Sequence, residues 1–191
     1  MQQQALNYLN APPDILAKAS RIRLLLLDVD GVLSDGRIFF DSQGIESKAF
    51  NTKDGHGLKS LKQSGVEVGI ITGRKSPLTE RRATELGIHL LIQGREDKAV
   101  ALDELLEQFP CDLEDIAFMG DDYPDLTVMT KVGLALSVAD GHFAVQALSH
   151  WISPRKGGEG AVRDACDLIM AAQGTFDAAL AQYTASNPPQ N

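Results

Sequence analysis

The chain has few cysteines, no long apolar run and no excess of positive charge. Its 191 residues include two cysteines, Cys111 and Cys166, neither within a CxxC motif or a Cys/His cluster, which favours two reduced thiols over a disulfide. No apolar stretch approaches the roughly 20 residues that a membrane-spanning helix needs. The 26 acidic residues outnumber the 18 basic ones, and the net charge of -8 argues against a nucleic-acid or membrane-surface partner.

The N-terminal segment lacks the charged stretch followed by an apolar stretch that is typical of a secretory signal. We therefore expect the protein to be cytoplasmic, with no membrane partner. The length predicts one domain, and an apolar fraction of 43% is enough to form its core.

Short apolar runs alternate with helix-like segments along most of the chain. The runs that we predict as strands are 24–27, 66–72, 88–92, 116–119 and 134–138. This alternation predicts an α/β fold with a doubly wound parallel sheet. One departure is a predicted β-hairpin at 37–50, where two β-prone segments flank a short turn containing glycine. We expect residues 1–20 to be an N-terminal extension, 21–174 the domain and 175–191 a C-terminal tail.

Carboxylates follow two of the predicted strands. Asp28 and Asp30 come after the first strand, and Asp121 and Asp122 follow the strand at 116–119. The carboxyl ends of parallel strands share one edge of a sheet, and ligands bind at that edge. Converging acids repel one another unless a cation lies among them, and Mg²⁺ prefers carboxylates, phosphate and water. The sequence therefore predicts a magnesium site that handles phosphate.

Asp28 and Asp30 are two residues apart, so in an extended chain their side chains lie on one face, about 6.6 Å apart. One carboxylate can attack phosphorus, while the other, if protonated, can donate to the leaving alcohol and later deprotonate water. The alternative is an acidic surface turn. For Asp121 and Asp122, which sit in a tight loop after a buried strand, a purely structural explanation is weaker.

Two further positions suit phosphate chemistry. The hydroxyl of Thr72, at the end of a strand, can hold phosphoryl oxygens, although a simple strand-ending turn remains an alternative. Lys98 can neutralise charge that develops on a phosphoryl group, although a lysine there can equally be a solvated surface residue. Asp125 can be an ordinary acidic residue at a helix N-terminus.

These motifs, in this order, resemble the haloacid dehalogenase superfamily of phosphatases. The segment DVDGVLSDG matches the first motif of that superfamily, Thr72 the second, Lys98 the third and GDDYPD the fourth. The resemblance implies a Rossmann-like fold with Asp28 as nucleophile and Asp30 as general acid and base. It further implies roles for the remaining motif residues. Thr72 and Lys98 hold the phosphoryl group; Asp28, the Asp30 carbonyl and Asp121 bind Mg²⁺; Asp122 and Asp125 support water and Lys98.

A closer resemblance is to the family of 3-deoxy-D-manno-octulosonate 8-phosphate phosphatases. It is carried by FNTKDGHG, ITGRK, VGLALSVADGH and GGEGAVRDACDLI, and by the hairpin that stands where a lid domain would otherwise be inserted. It implies release of phosphate from this sugar acid during lipopolysaccharide precursor synthesis, in a homotetramer. Arg74 and Lys53 would contact the substrate, and residues 155–160 would cover the site of a neighbouring subunit.

Three other interpretations remain open at this stage. A related phosphatase could act on a nine-carbon sialic-type sugar acid 9-phosphate, although Arg74 argues against it because that subfamily carries an acidic residue there. A receiver domain also forms an aspartyl phosphate, but its acidic pair precedes the phosphorylated aspartate, whereas here the pair comes last. A scaffold without catalytic activity is the third.

Overall fold

The computed structural model describes residues 1–184, which are organised around a six-stranded parallel sheet in the order β5-β4-β1-β6-β7-β8. These strands are β1 (Leu24–Leu27), β4 (Glu67–Thr72), β5 (Leu90–Gln93), β6 (Ile116–Gly120), β7 (Leu134–Ser137) and β8 (Trp151–Ile152). The chain builds outward from β1 to β4 and β5, then returns to the other side for β6, β7 and β8. The predicted doubly wound α/β fold is confirmed, and β1 lies at the point where the strand order reverses.

The central strand β1 is buried on both faces of the sheet. All four of its leucines have no exposed surface, with Leu25 and Leu27 packed in one core layer and Leu24 and Leu26 in the other. A fully apolar run of this kind is typical of a parallel strand covered by helices on both sides. The register places Leu27 beside Met119 of β6, so the residues that follow both strands emerge together.

Nine α-helices are described, and most of them cover the two faces of the sheet. They are α1 (Gln2–Leu9), α2 (Pro13–Ala19), α3 (Thr52–Gln63), α4 (Pro77–Leu86), α5 (Lys98–Gln108), α6 (Leu126–Met129), α7 (Phe143–Leu148), α8 (Ala161–Ala172) and α9 (Phe176–Thr184). The ends of α4 follow from local sequence, because Ser76 caps its N-terminus and Gly87 ends it with a φ of 67°. Within residues 1–184, no helix combines the length and apolar character that crossing a membrane requires.

The sequence pattern predicts a helix over 57–64, but α3 begins five residues earlier, at Thr52. Asn51 caps it by accepting a hydrogen bond from the Lys53 N–H, and the helix then contains Gly55 and Gly57, which weaken an isolated helix. Tertiary packing overrides that weakness, since a Cβ at Gly57 would overlap Arg163 of α8. The close approach of α3 and α8 therefore requires glycine at position 57, although glycine is unfavourable in an isolated helix.

Both chain ends pack more closely than the sequence indicates. Residues 1–20, predicted as an extension, form α1 and α2 and bury Leu9, Ile15 and Ala19 in the core. Trp151 also donates a hydrogen bond from its indole N–H to the carbonyl of Leu9, at 3.1 Å. At the other end, α9 occupies most of the predicted tail, and residues 185–191 of that tail lie outside the described residues.

The predicted hairpin is present as two short antiparallel strands, β2 (Phe39–Phe40) and β3 (Glu46–Ser47). The carboxylate of Asp41 organises its turn by accepting hydrogen bonds from the N–H groups of Gln43 and Ile45. Phe39, Phe40 and Ile45 are each more than half exposed. The hairpin is thus an apolar ribbon that stands away from the main core.

Asp54, in the first turn of α3, caps the N-terminus of a different helix. It is 1% exposed, and its Oδ1 accepts a hydrogen bond from the backbone N–H of Arg163 in α8, at 2.8 Å. Gly160, which precedes α8, has no side chain to perform this function. Burial raises the pKa of Asp54 to about 6, against the opposing effect of the N–H groups of Arg163 and Gly160.

We expect Asp54→Asn to be more stable than the wild type at pH 8 and nearly equal to it near pH 4. The amide oxygen still accepts from Arg163, while the ionised carboxyl destabilises the fold only as pH rises through its raised pKa of about 6. Each pKa unit is worth about 1.4 kcal/mol, so the gain at pH 8 is at most about 3 kcal/mol. Urea unfolding at both pH values measures it, with the exposed Asp103→Asn as control. A variant less stable than wild type at pH 8 would contradict this prediction.

Candidate active site

The sequence-predicted carboxylates meet at the carboxyl edge of the sheet, around a cavity of about 460 Å³. Asp28 follows β1, Thr72 ends β4, and Asp121 follows β6. The cavity is lined by Asp28, Asp30, Gly36, Thr72, Gly73, Arg74, Glu96, Lys98, Asp121, Asp122, Pro124 and Asp125. It lies where the strand order reverses, which is the usual position of a ligand site in an open α/β sheet.

Lys98 joins two of these carboxylates. Its side chain, at the first residue of α5, is buried, and its Nζ lies 2.8 Å from Oδ1 of Asp28 and 2.6 Å from Oδ1 of Asp125. The position of α5 is fixed by Asp97, whose Oδ1 accepts from the N–H groups of Ala99 and Val100. The ammonium of Lys98 is therefore buried between two carboxylates at the cavity. The alternative interpretation of Lys98 as a solvated surface residue does not hold.

Asp125 has both of its carboxylate oxygens occupied. Oδ1 accepts from Lys98, and Oδ2 accepts from the backbone N–H groups of Asp121 and Asp122, at 2.9 and 3.1 Å. It ends a short 3-10 helix (Tyr123–Asp125), and a Cβ at Gly120 would overlap its side chain. Asp125 therefore braces both the lysine and the loop that carries Asp121.

Asp121 faces the loop that carries Asp28 and Asp30. Gly31, in that loop, has a φ of +96°, and a Cβ there would overlap the Asp121 carboxylate. Glycine is thus required at this position both by the backbone conformation and by the close approach. Oδ1 of Asp121 is buried and has no hydrogen-bond partner among residues 1–184.

Around Asp28, Asp121 and Asp125, several acids surround one buried cation, Lys98. Burial raises the pKa of Asp28 to about 6, although Lys98 opposes this effect. Burial, together with the negative charges of Asp28 and Asp125, raises the pKa of Asp121 to about 8. For Lys98, burial favours the neutral amine, but the adjacent carboxylates outweigh it and raise the pKa. The excess of negative charge favours a further cation.

The donor set fits a hard divalent cation. One carboxylate oxygen each from Asp28, Asp121 and Asp125 lies within 4.8 Å of the others. Since both oxygens of Asp125 accept hydrogen bonds, Asp28 and the unpartnered Oδ1 of Asp121 are the better-placed donors. Carboxylate oxygens are ligands that Mg²⁺ prefers.

The side chain of Asp30 points toward the hairpin and meets Arg74, which the sequence analysis named, and Lys48, which it missed. Lys48, directly after β3, places its Nζ 2.5 Å from Oδ1 of Asp30, and Arg74 places its Nε 3.7 Å from Oδ2. Glu46 lies 3.5 Å from Arg74 and accepts a hydrogen bond from the hydroxyl of Ser76. The sequence feature that could have indicated Lys48 and Glu46 as site residues is the position of the hairpin, which directly follows the acidic loop.

Two other predicted residues lie at or beyond the margin of the cavity. Asp122 is exposed, and its Oδ1 accepts from the N–H of Tyr123. Lys53 is exposed in the first turn of α3 and is absent from the cavity lining. The early start of α3 explains this, because it places Lys53 on the outer face of a helix instead of in a loop.

Residues 155–160 contact the acidic loop of their own chain rather than extending away from it. The N–H of Gly158 donates to the carbonyl of Val32 at 2.9 Å, and the Asn51 amide donates to the carbonyl of Gly158 at 3.1 Å. A Cβ at Gly157 would overlap the carbonyl of Gly31. The two glycines allow the segment to pack against residues 31–35 of its own chain. Its position over the site of a neighbouring subunit stays a prediction.

Comparison with known proteins is consistent with this site. Residues 91–164 match a family model described as haloacid dehalogenase-like hydrolase. The chain is 49% identical over 166 residues to the 3-deoxy-D-manno-octulosonate 8-phosphate phosphatase of Yersinia pestis, which covers 87% of this chain and 89% of that relative.

Two solved structures carry ligand information. The phosphatase of the same name from Moraxella catarrhalis, in complex with magnesium ion, phosphate ion and KDO, is similar with a TM-score of 0.87 and 47% identity, covering 89% of this chain and 98% of that one. The cobalt-bound deoxy-D-mannose-octulosonate 8-phosphate phosphatase from Haemophilus influenzae is similar with a TM-score of 0.81 and 36% identity. The match covers 83% of this chain and 93% of that one.

Proposed function

Because the chain belongs to the 3-deoxy-D-manno-octulosonate 8-phosphate phosphatases of the haloacid dehalogenase superfamily, we propose that it releases phosphate from this eight-carbon sugar acid with the help of Mg²⁺. The product would serve lipopolysaccharide precursor synthesis in the cytoplasm. The observation that carries the proposal is the contact of Lys98 with Asp28 at the sheet edge where Asp121 presents an unpartnered oxygen. The catalytic unit would be residues 21–174, with α1 and α2 packed onto it.

The reaction would proceed in two displacements at phosphorus. A carboxylate oxygen of Asp28 forms a bond to phosphorus while the bond to the sugar oxygen breaks, and the carboxyl of Asp30 gives its proton to that leaving oxygen. Water then attacks the aspartyl phosphate as Asp30 takes its proton, which regenerates the Asp28 carboxylate and releases phosphate. Asp28 and Asp30 thus divide nucleophilic and acid-base functions between them.

The remaining residues would hold and neutralise the phosphoryl group. Thr72, 2% exposed at the end of β4, offers its hydroxyl to a phosphoryl oxygen, and Lys98 offers an ammonium that Asp125 keeps aligned. Asp28, the Asp30 carbonyl and Asp121 would hold Mg²⁺, with Asp122 supporting its water. When bound, the ion supplies positive charge to a group whose transfer depends on positioning and charge neutralisation.

Arg74 would select the sugar acid through its carboxylate. Its side chain is about half exposed at the cavity wall, where it can turn from Glu46 and Asp30 toward a substrate anion. The planar guanidinium suits a carboxylate, and a positive charge here favours the eight-carbon acid over the nine-carbon alternative. Lys53 would contribute at longer range only, given its exposed position on α3.

We expect Arg74→Ala to raise KM for the sugar-acid phosphate about 10- to 100-fold, since a charge-assisted hydrogen bond contributes about 1.5–3 kcal/mol. Glycerol phosphate, which lacks the carboxylate, should show a much smaller change. Steady-state kinetics on both esters measure the difference, with Arg81→Ala on the exposed face of α4 as a matched control. An equal loss on both esters would contradict a role in recognising the carboxylate.

The hairpin supports a proposal of self-association. Phe39, Phe40 and Ile45 are exposed on a two-stranded ribbon, and such apolar side chains favour a protein partner. We propose that the ribbons of four chains pack together to give a homotetramer. Light scattering at micromolar concentration should give the mass of four chains, and a monomeric mass would contradict the proposal.

A further inference from the structure

The hairpin contributes a buried ammonium that contacts Asp30, a residue of the cavity lining. The side chain of Lys48 is only 1% exposed, although it follows a two-residue strand on a ribbon that is otherwise largely exposed. Its Nζ lies 2.5 Å from Oδ1 of Asp30 and 3.9 Å from Oε1 of Glu46. Burying an ammonium is unfavourable unless it is paired, so its position is determined by these carboxylates.

The two oxygens of Asp30 have different surroundings. Oδ1 contacts Lys48 and accepts a longer hydrogen bond, 3.4 Å, from the hydroxyl of Ser34. Oδ2 is buried, and among residues 1–184 it has no hydrogen-bond donor within range; Nε of Arg74 lies 3.7 Å from it. The carboxylate is therefore held through one oxygen while the other remains available.

Glu46 holds the lysine in turn. It lies within 4 Å of both Lys48 and Arg74, and the hydroxyl of Ser76 donates to its Oε2 at 3.0 Å. When Asp30 is ionised, the four charged groups form a ring of two carboxylates and two cations with no net charge. Because Glu46 and Lys48 come from the hairpin, the ring fixes the orientation of Asp30 from outside the main sheet.

We propose that Lys48 is a positioning residue that holds Oδ1 of Asp30, so that Oδ2 carries the proton to the leaving oxygen and later takes one from water. This inference rests on the proposed function, in which Asp30 is the general acid and base. The lysine itself does not touch the reacting atoms. A carboxylate held in one orientation is more often placed correctly for proton transfer, and a small misplacement of a catalytic group can lower the rate strongly.

The dependence of the rate on the leaving group separates this function from a purely structural one. A sugar alkoxide leaves poorly and needs the proton from Asp30, whereas p-nitrophenolate leaves readily without it. We expect Lys48→Met to lower kcat/KM about 10- to 100-fold on the sugar-acid phosphate but less than about 3-fold on p-nitrophenyl phosphate, as a fraction of the 10²- to 10⁴-fold typical of general acid catalysis. The comparison uses kcat/KM because it reports the first displacement, whereas hydrolysis of the aspartyl phosphate is common to both esters. Both rates come from one preparation, so their ratio is unaffected by any unfolded fraction.

The double variant with Asp30→Asn provides the second readout. If Lys48 acts through Asp30, adding Lys48→Met to Asp30→Asn should lower kcat on the sugar-acid phosphate by less than about 2-fold, because contacting residues that act as a unit are not additive. Lys48→Gln gives the same comparison if the methionine variant does not fold.

If Lys48→Met lowered kcat/KM equally on the two esters, or lowered the rate of the Asp30→Asn variant as much as that of the wild type, the inference would be overturned. The proposed function would still stand as long as the wild-type protein is active. A wild-type protein that hydrolyses neither ester would overturn the proposed function and this inference together. The inference would be supported if Lys48→Met lowered the rate on the sugar-acid phosphate alone and had no such effect in the Asp30→Asn variant.

Discussion

Asp28→Asn is expected to lower kcat on the sugar-acid phosphate by about 10⁴-fold or more, because the amide keeps the shape of the side chain but cannot attack phosphorus. Asp28 lies at the end of the central strand, with its carboxylate against Lys98. Asp125 does not take its place, since both oxygens of Asp125 already accept hydrogen bonds. Phosphate release under saturating substrate and Mg²⁺ measures the effect.

The matched control for this prediction is Asp103→Asn, an exposed carboxylate on α5, the helix that carries Lys98. It should retain wild-type kcat. A folded Asp28→Asn protein that keeps more than about a tenth of the wild-type rate would contradict nucleophilic attack by Asp28, since loss of a nucleophile lowers rates by several orders of magnitude.

Lys98→Met is expected to lower kcat about 10³-fold, because it removes a preorganised charge next to the phosphoryl site. The substitution should also destabilise the fold, by about 3–5 kcal/mol at neutral pH, since it leaves Asp28 and Asp125 buried without their common partner. Lys59→Met, at an exposed position of α3, is the matched control and should change neither quantity.

The pH dependence of that destabilisation follows from the directions of the pKa shifts. The raised pKa of Lys98 means that its contribution to stability is fully present at neutral pH and is lost only at alkaline pH. Its partner Asp28 ionises near pH 6, so the ion pair weakens below that value. Urea unfolding should therefore show a smaller loss for Lys98→Met at pH 5 than at pH 8, and an equal or larger loss at pH 5 would contradict the ion-pair explanation.

The position of the main site was predictable because it depends on where strands end. Asp28, Thr72 and Asp121 each lie at the end of an apolar run, and a parallel sheet brings such ends to one edge. Lys98 was predictable as a helix start, although the sequence could not distinguish a buried from a solvated lysine. Its burial depends on Asp125, which lies 27 residues away along the chain.

The residues of the hairpin were not predictable as site residues. The strands β2 and β3 have two residues each, which is too short for a periodicity to indicate which side chains turn inward. Burial of Lys48 depends on Asp30, which lies 18 residues away along the chain, as well as on its near neighbour Glu46. The exposed position of Lys53 on a helix was not predictable either, since tertiary packing of α3 against α8 extends that helix through glycines that local propensity disfavours.

The measurement that tests the central claim most directly is phosphate release by the wild-type protein from a panel of sugar phosphates, with Mg²⁺ and after its removal by a chelator. The panel includes 3-deoxy-D-manno-octulosonate 8-phosphate and a nine-carbon sialic-type sugar-acid 9-phosphate. We expect Mg²⁺-dependent turnover that is concentrated on the eight-carbon acid. A preference for the nine-carbon acid would keep the mechanism and contradict the substrate, whereas folded protein that releases no phosphate from any ester would contradict the assignment of a phosphatase.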